Sequence, residues 1–256
     1  MNRPFRLISC GLALLCCGSF PAPARAQNEP EPPANAAPLP EAILSDLNAD
    51  TYAARESATR KLLADDGIDP QAVADLYAKA TTPEQRNRLI DAARHHFIRR
   101  LRLQLFPGAR LGALGVIQSA MAADQLPKIG RPAARVVATL PGFPAYVVLS
   151  AGDLVLAVND EGLPPNLSPE ETSAHFGRMI IDHRQDSVIT LTVWRDERTI
   201  QVPVRLASSD AIRNMFEPSN QRLLPQYRVR WLRFYDAMVD AGREPAPLPV
   251  DLTPTP

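Results

Sequence analysis

Leu111-Gly-Ala-Leu-Gly-Val116, Leu140-Pro-Gly-Phe-Pro-Ala145 and Ala151-Gly-Asp-Leu-Val-Leu-Ala-Val-Asn159 follow one another in the middle of the chain. Each is a turn that launches a regular element. Glycine in the first permits a tight turn that points several N–H groups to one side. Pro141-Gly142 makes a second turn, and Pro144-Ala145 starts a short helix with proline near its first position. In the third, the apolar run Leu154–Val158 reads as a buried strand, followed by a turn at Asn159-Asp160. Val188-Ile-Thr-Leu-Thr-Val-Trp-Arg195 and Ile200-Gln-Val-Pro-Val-Arg-Leu206 are strand-like. Between them, Ser168-Pro-Glu-Glu171 is a capping box with proline at the first helical position, predicting a helix over Pro169–Arg184. Phe176, Met179 and Ile180 are its core-facing candidates.

This succession resembles the PDZ domains of bacterial envelope proteins, including those appended to the high-temperature-requirement serine proteases. The likeness covers Ala109–Leu206. It implies an α+β fold, a small PDZ-like β-sandwich or partly open barrel with two helices, here flanked by helical segments. It also implies a groove between an exposed sheet edge and a helix, where an extended peptide adds as an extra strand. Leu114-Gly115-Val116 resembles the carboxylate-binding loop, with Val116, Ile117 and Gln118 opening the edge strand. A competing register uses Leu111-Gly-Ala113; the larger Val116 after its glycine favours Leu114-Gly115-Val116. Arg110 is either a cation near the carboxylate or a solvated loop charge. Thr172, His175 and Met179, at i, i+3 and i+7, are the groove-lining candidates on the helix. A histidine at the start of this helix selects a hydroxyl-bearing peptide in some PDZ domains, but His175 lies further in and reads as solvent-facing. Asp153 is expected to bond nearby backbone N–H groups. The sequence departs from the family with Phe143 in place of serine, and with Val147–Ala151 where Ala-Gly-Leu is usual. Ser119–Arg135, a long excursion, either reaches over the peptide or is an enlarged loop.

Outward from this module, residues 41–106 read as helical. Asp50 or Thr51 caps a helix through Leu63, Pro70 opens a second, and Thr82-Pro-Glu-Gln85 is a capping box for a long third. Leu89, Ile90, Ala93, Phe97, Leu101 and Leu105 mark its apolar stripe. Asp50–Leu62 is similar to a HEAT-type or armadillo-type unit, too short for an autonomous array. After the module, residues 209–242 hold a short helix at Ala211–Phe216 and an amphipathic one at Pro225–Ala241. Its aromatic stripe, with Trp231 and Phe234, is expected to dock on the folded body rather than a membrane.

Residues 1–26 have the anatomy of a secretory signal peptide: Arg3 and Arg6, an apolar run from Leu7 to Phe20, then Ala24-Arg-Ala26. The expectation is an exported protein, periplasmic or extracellular, with lipid anchoring the lesser alternative because Cys10, Cys16 and Cys17 lie there. Residues 27–40 and 243–256 are proline-rich and read as a disordered spacer and tail. With the leader removed the chain has no cysteine, which excludes disulfides, a thiol nucleophile and thiolate zinc sites. Loss of Arg3, Arg6 and Arg25 leaves 25 basic against 28 acidic residues. That balance argues against a nucleic-acid partner.

No catalytic constellation is visible. His95-His96 point about 100° apart on a helix and cannot clamp one metal. There is no His-Glu-x-x-His, no Gly-x-Ser-x-Gly and no phosphate loop. The sequence therefore predicts a non-catalytic adaptor without cofactor or metal, binding protein or peptide C-termini or extended segments. Two rivals are a structural scaffold whose groove is occluded, for instance by the Pro225–Ala241 helix, and a regulatory subunit of a separate envelope protease.

Overall fold

The computed structural model describes residues 39–106, 111–216 and 224–242. Four helices come first: α1 (Ala42–Leu47), α2 (Tyr52–Ala64), α3 (Pro70–Lys79) and α4 (Pro83–Leu105). Local chemistry sets their starts. The Ala54 N–H donates to Thr51 Oγ1 at 3.2 Å, and the Gln71 N–H to Asp69 Oδ1 at 2.8 Å. At α4 both arms of the capping box form, between Thr82 and Gln85. Gln85 is buried and its Nε2 reaches Leu44 O at 2.7 Å, fastening α1 to the start of α4. The apolar centre of this region comprises Leu47, Leu62, Val73, Leu76, Leu89 and Ala93.

The last helix, α8 (Leu224–Ala241), returns to the same core. Met238 is buried there, with Trp231, Phe234 and Tyr235 packed around it. Phe97 of α4 lies 5.6 Å from Trp231 and 5.2 Å from Phe234, ring centre to ring centre. The aromatic stripe is thus core. No helix among the described residues is long and apolar enough to cross a membrane.

Between α4 and α8 lies the sheet region, giving an α+β class. Strands β1 (Gly112–Ala113), β2 (Val116–Met121), β3 (Ala133–Thr139), β4 (Leu154–Val158), β5 (Glu161–Gly162), β6 (Val188–Arg195), β7 (Arg198–Arg205) and β8 (Ala207–Ser208) alternate with α5 (Ala145–Val148), α6 (Pro169–Ile181) and α7 (Ser209–Phe216). The main sheet is antiparallel, in the order β2-β3-β4-β6-β7, with β5 hairpinned onto β4; it does not close into a barrel. A separate two-stranded ladder pairs β1 with β8. Asn159-Asp160 and Asp196-Glu197 turn the two hairpins, all four residues in the left-handed region.

The central strand β4 is covered on both sides, as its continuous apolar run requires. One face packs with Phe176, Met179 and Ile180 of α6. The other is covered by the excursion after β2, where Leu126 and Ile129 lie with Leu156 and Trp194. That excursion covers the sheet's back. Helix α6 ends at Ile181 rather than Arg184, because the His183 carbonyl is taken by the Gly112 N–H at 2.7 Å.

Candidate functional site

β2 is the outermost strand of the main sheet among the described residues, and α6 faces it across a cleft of about 460 Å³. One wall is the loop Gly112–Val116 with Gln118; the other is Phe176, Gly177, Ile180 and Ile181 of α6. Ser209 and Ile212 of α7 stand at the loop end. At the opposite end, Gln118 Nε2 crosses to Ser173, donating to its Oγ at 2.9 Å and its carbonyl at 3.2 Å. Gln118 Oε1 is buried without a partner.

The loop has the electrostatics of an acceptor-seeking site. Leu114 O accepts from the Ala145 N–H at 3.1 Å, and Gly115 O from the Leu140 N–H at 2.8 Å. Both carbonyls are therefore turned to the core side. Among the described residues, neither the Leu114 nor the Gly115 N–H donates to a backbone carbonyl. Gly115 has φ +76°, and a Cβ there would lie 2.2 Å from the Cβ of Phe143. This turn admits only glycine.

Phe143 sits fully buried beneath the loop, outside the cleft lining. It is one end of a brace running back to α4. Arg102, buried, donates from Nε to Gly142 O at 3.1 Å, and its guanidinium lies 5.4 Å from the Phe143 ring centre. Burial pulls Arg102 down to about 10, so it is charged at neutral pH. The Gly142 N–H donates to His95 Nδ1 at 3.1 Å, which requires a neutral ring with its proton on Nε2. Burial, with His96, Arg99 and Arg102 nearby, brings His95 down to about 3. His96 turns the other way, its Nε2 on Leu62 O at 2.9 Å. The adjacent histidines thus serve two different packing partners of α4. Tyr146 stacks on His95, and Val147 packs into the helical core, which accounts for the unusual Val147–Ala151 segment.

Asp153 is structural. The Ser150 N–H donates to its Oδ2 at 2.7 Å, and Arg195 Nε to its Oδ1 at 2.7 Å.

The structure brings Leu114, Gly115, Val116 and Gln118 together in the cleft. Ile117 points outward, half exposed. Arg110 lies outside the described residues. The three α6 candidates do not line this cleft. Thr172 is buried in the body, while His175 and Met179 line a different, polar cavity of about 490 Å³ with Asn159, Arg178 and His183. The wall of the cleft is the neighbouring stripe. All of Phe176, Met179 and Ile180 are buried, so the apolar arc is too wide to show which side meets β2. One signal was available: Gly177, mid-helix, where a Cβ would meet nothing within 4 Å. Among the described residues helix α8 contributes nothing to the lining; it packs on α3, α4 and α7. Among the described residues no three His, Cys, Asp or Glu side chains could hold a metal.

No protein-family model matches the sequence, nor does any curated protein. Among solved structures, the chain is similar to the HtrA-type protease AlgW with a decapeptide, at 17% identity and a TM-score of 0.30 over 38% of this chain. An AlgW variant with a decapeptide gives 15% identity and a TM-score of 0.31 over 44% of this chain. The matches span 29% and 33% of those proteases, about a third of their length.

Proposed function

We propose that this protein is a non-catalytic, exported adaptor whose PDZ-like module takes an extended peptide as an added strand on β2. A single observation carries the reading: among the described residues β2 is an edge strand facing α6 across a largely apolar cleft, and the loop that starts it holds two N–H groups without backbone acceptors there. An added strand is held by main-chain hydrogen bonds to the edge, while the cleft side chains set preference. Apolar walls from Leu114, Phe176 and Ile180 supply the burial, roughly 25 cal/mol for each Å² of apolar surface covered. Among the described residues α8 adds nothing to the cleft lining, which favours an open groove over one occluded by that helix. Export rests on the composition of residues 1–26 alone.

The test uses the full chain and a fluorescent peptide library. Gly177→Leu fills the cleft from a helix position with free space in front of it, and helix propensity favours leucine by about 1 kcal/mol. The expected result is a fold as stable as the parent with peptide binding abolished. Undiminished binding by a folded Gly177→Leu protein rules this cleft out.

A further inference from the structure

Helix α6 lines two cavities, and the residue that joins them, His183, stands just past its end. On one side its main-chain carbonyl accepts from the Gly112 N–H at 2.7 Å, and Gly112 lines the peptide cleft. The fit there is close. A Cβ on Gly112 would lie 3.0 Å from that carbonyl oxygen and 2.5 Å from Leu206 Cδ1. The start of the cleft loop is therefore placed by the turn after α6.

On the other side the His183 ring belongs to the polar cavity, which Asn159, Glu161, His175, Arg178 and Asp182 also line. Asn159 Nδ2 lies 3.3 Å from His183 Nε2. Asn159 cannot turn its amide over. Its Oδ1 accepts from the Thr190 N–H at 2.8 Å, and its own N–H donates to Thr190 O at 2.8 Å. The amide nitrogen must then be the donor and Nε2 the acceptor, which requires a neutral imidazole with its proton on Nδ1. A proton on Nε2 would set two donors face to face and break the contact. Of the charges around the ring, Asp182 and Glu161 attract an imidazolium and Arg178 repels it. Arg184 and Asp186 follow in the same turn, Asp160 precedes Glu161, and the loop from Leu111 to Val116 carries no charge. Strands β6 and β8 bring Thr190 and Ser208, which do not titrate in this range.

Resting on the strand-addition reading above, we infer that His183 is a positioning residue for the cleft: neutral and held by Asn159, it fixes Gly112 and the loop that starts β2, and its protonation releases both. The cleft is thus tuned by pH from outside its own lining. Histidine changes charge between pH 5 and 8, so affinity is whole at the upper end and falls toward the lower. Burial brings His95 down to about 3 and lowers His96 as well, which leaves His175 as the rival among the four histidines.

The experiment measures binding of the full chain, at about pH 8 and pH 5, to an N-acetylated library peptide that contains no histidine, aspartate or glutamate. The parent should bind about threefold more tightly at the higher pH, in the range of one ordinary hydrogen bond. Asn159→Asp keeps the acceptor for Thr190 and offers His183 a carboxylate, so it should reverse the preference. His183→Gln should remove the pH dependence, and His175→Gln should leave it as in the parent. In the ligand-free chain the NMR shift of the Gly112 amide should move between the two pH values, and stand still in His183→Gln. A preference that Asn159→Asp leaves as in the parent overturns this inference, as does a Gly112 amide that does not move. Loss of the pH dependence in His175→Gln overturns it too. Absence of binding at both pH values overturns the strand-addition reading; the Gly112 amide then decides separately, its movement upholding the hold of His183 on the loop and its stillness overturning it.

Discussion

The main sheet has two edges, and they are built on opposite plans. At one, β7 reads Arg198-Thr-Ile-Gln-Val-Pro-Val-Arg205. Arg195 and Arg198 close a two-residue turn, so pairs alternate along the hairpin and Thr190↔Pro203 falls between hydrogen-bonded pairs. Pro203 therefore stands where its N–H would have pointed off the sheet. With arginine at both ends of the strand, this edge carries the features that discourage pairing with another chain. At the other edge, β2 reads Val116-Ile-Gln-Ser-Ala-Met121, without proline or charge. It is instead shielded by α6 across the cleft and started by a loop braced from α4. A sheet that blocks one edge and keeps the other accessible within a groove is suited to accept one extra strand on a chosen side.

The harshest way to break this contrast is at the loop. Gly115→Val places a β-branched residue in the left-handed region and against Phe143, a combined cost of about 3 kcal/mol. Urea unfolding should show that loss, and hydrogen exchange should show β2 amides deprotected while β6 and β7 stay protected. Equal loss across the sheet would mean that the two edges are not independently held.

A smaller effect acts through the brace. The unfolded chain binds a proton at His95 near pH 6.5, whereas the folded chain does so only near 3. Stability from this site is whole above pH 6.5 and declines as pH falls toward 3, by at most about 1.4 kcal/mol per pH unit. Over that interval the β2 edge should loosen before β7 does, and His95→Gln should flatten this part of the stability–pH curve. Chemical denaturation across the range checks both. The mildest change is at the blocked edge. Pro203→Val restores an N–H there and should alter stability by no more than about 0.5 kcal/mol. Self-association in light scattering should nevertheless rise; no rise would assign the blocking to Arg198 and Arg205.

How far the sequence revealed this arrangement follows from how local each signal is. The capping boxes at Thr82 and Ser168, the turn at Gly115 and the buried run of β4 are short-range, and each forms where its residues dictate. Which stripe of α6 faces β2 is not short-range, because Phe176, Met179 and Ile180 suit either side, so the spacing alone equally offers Thr172, His175 and Met179. The part that α7 plays in the cleft lining is hidden in the sequence for a different reason. Ser209 looks like any loop serine until α7 begins there instead of at Ala211. The brace left a faint mark: two adjacent histidines in a helix, both buried, imply packing on two sides.

The Gln118–Ser173 bridge bears on the rate of entry as well as on affinity. An empty cleft is spanned by a side chain hydrogen-bonded to the facing helix, so any strand arriving along β2 meets that span first. Entry then waits on a side-chain swing, and release is followed by its closure. A strand binding at this edge would be slowed on arrival but not on departure, and its apparent affinity would be scaled by the fraction of time that the bridge stands open.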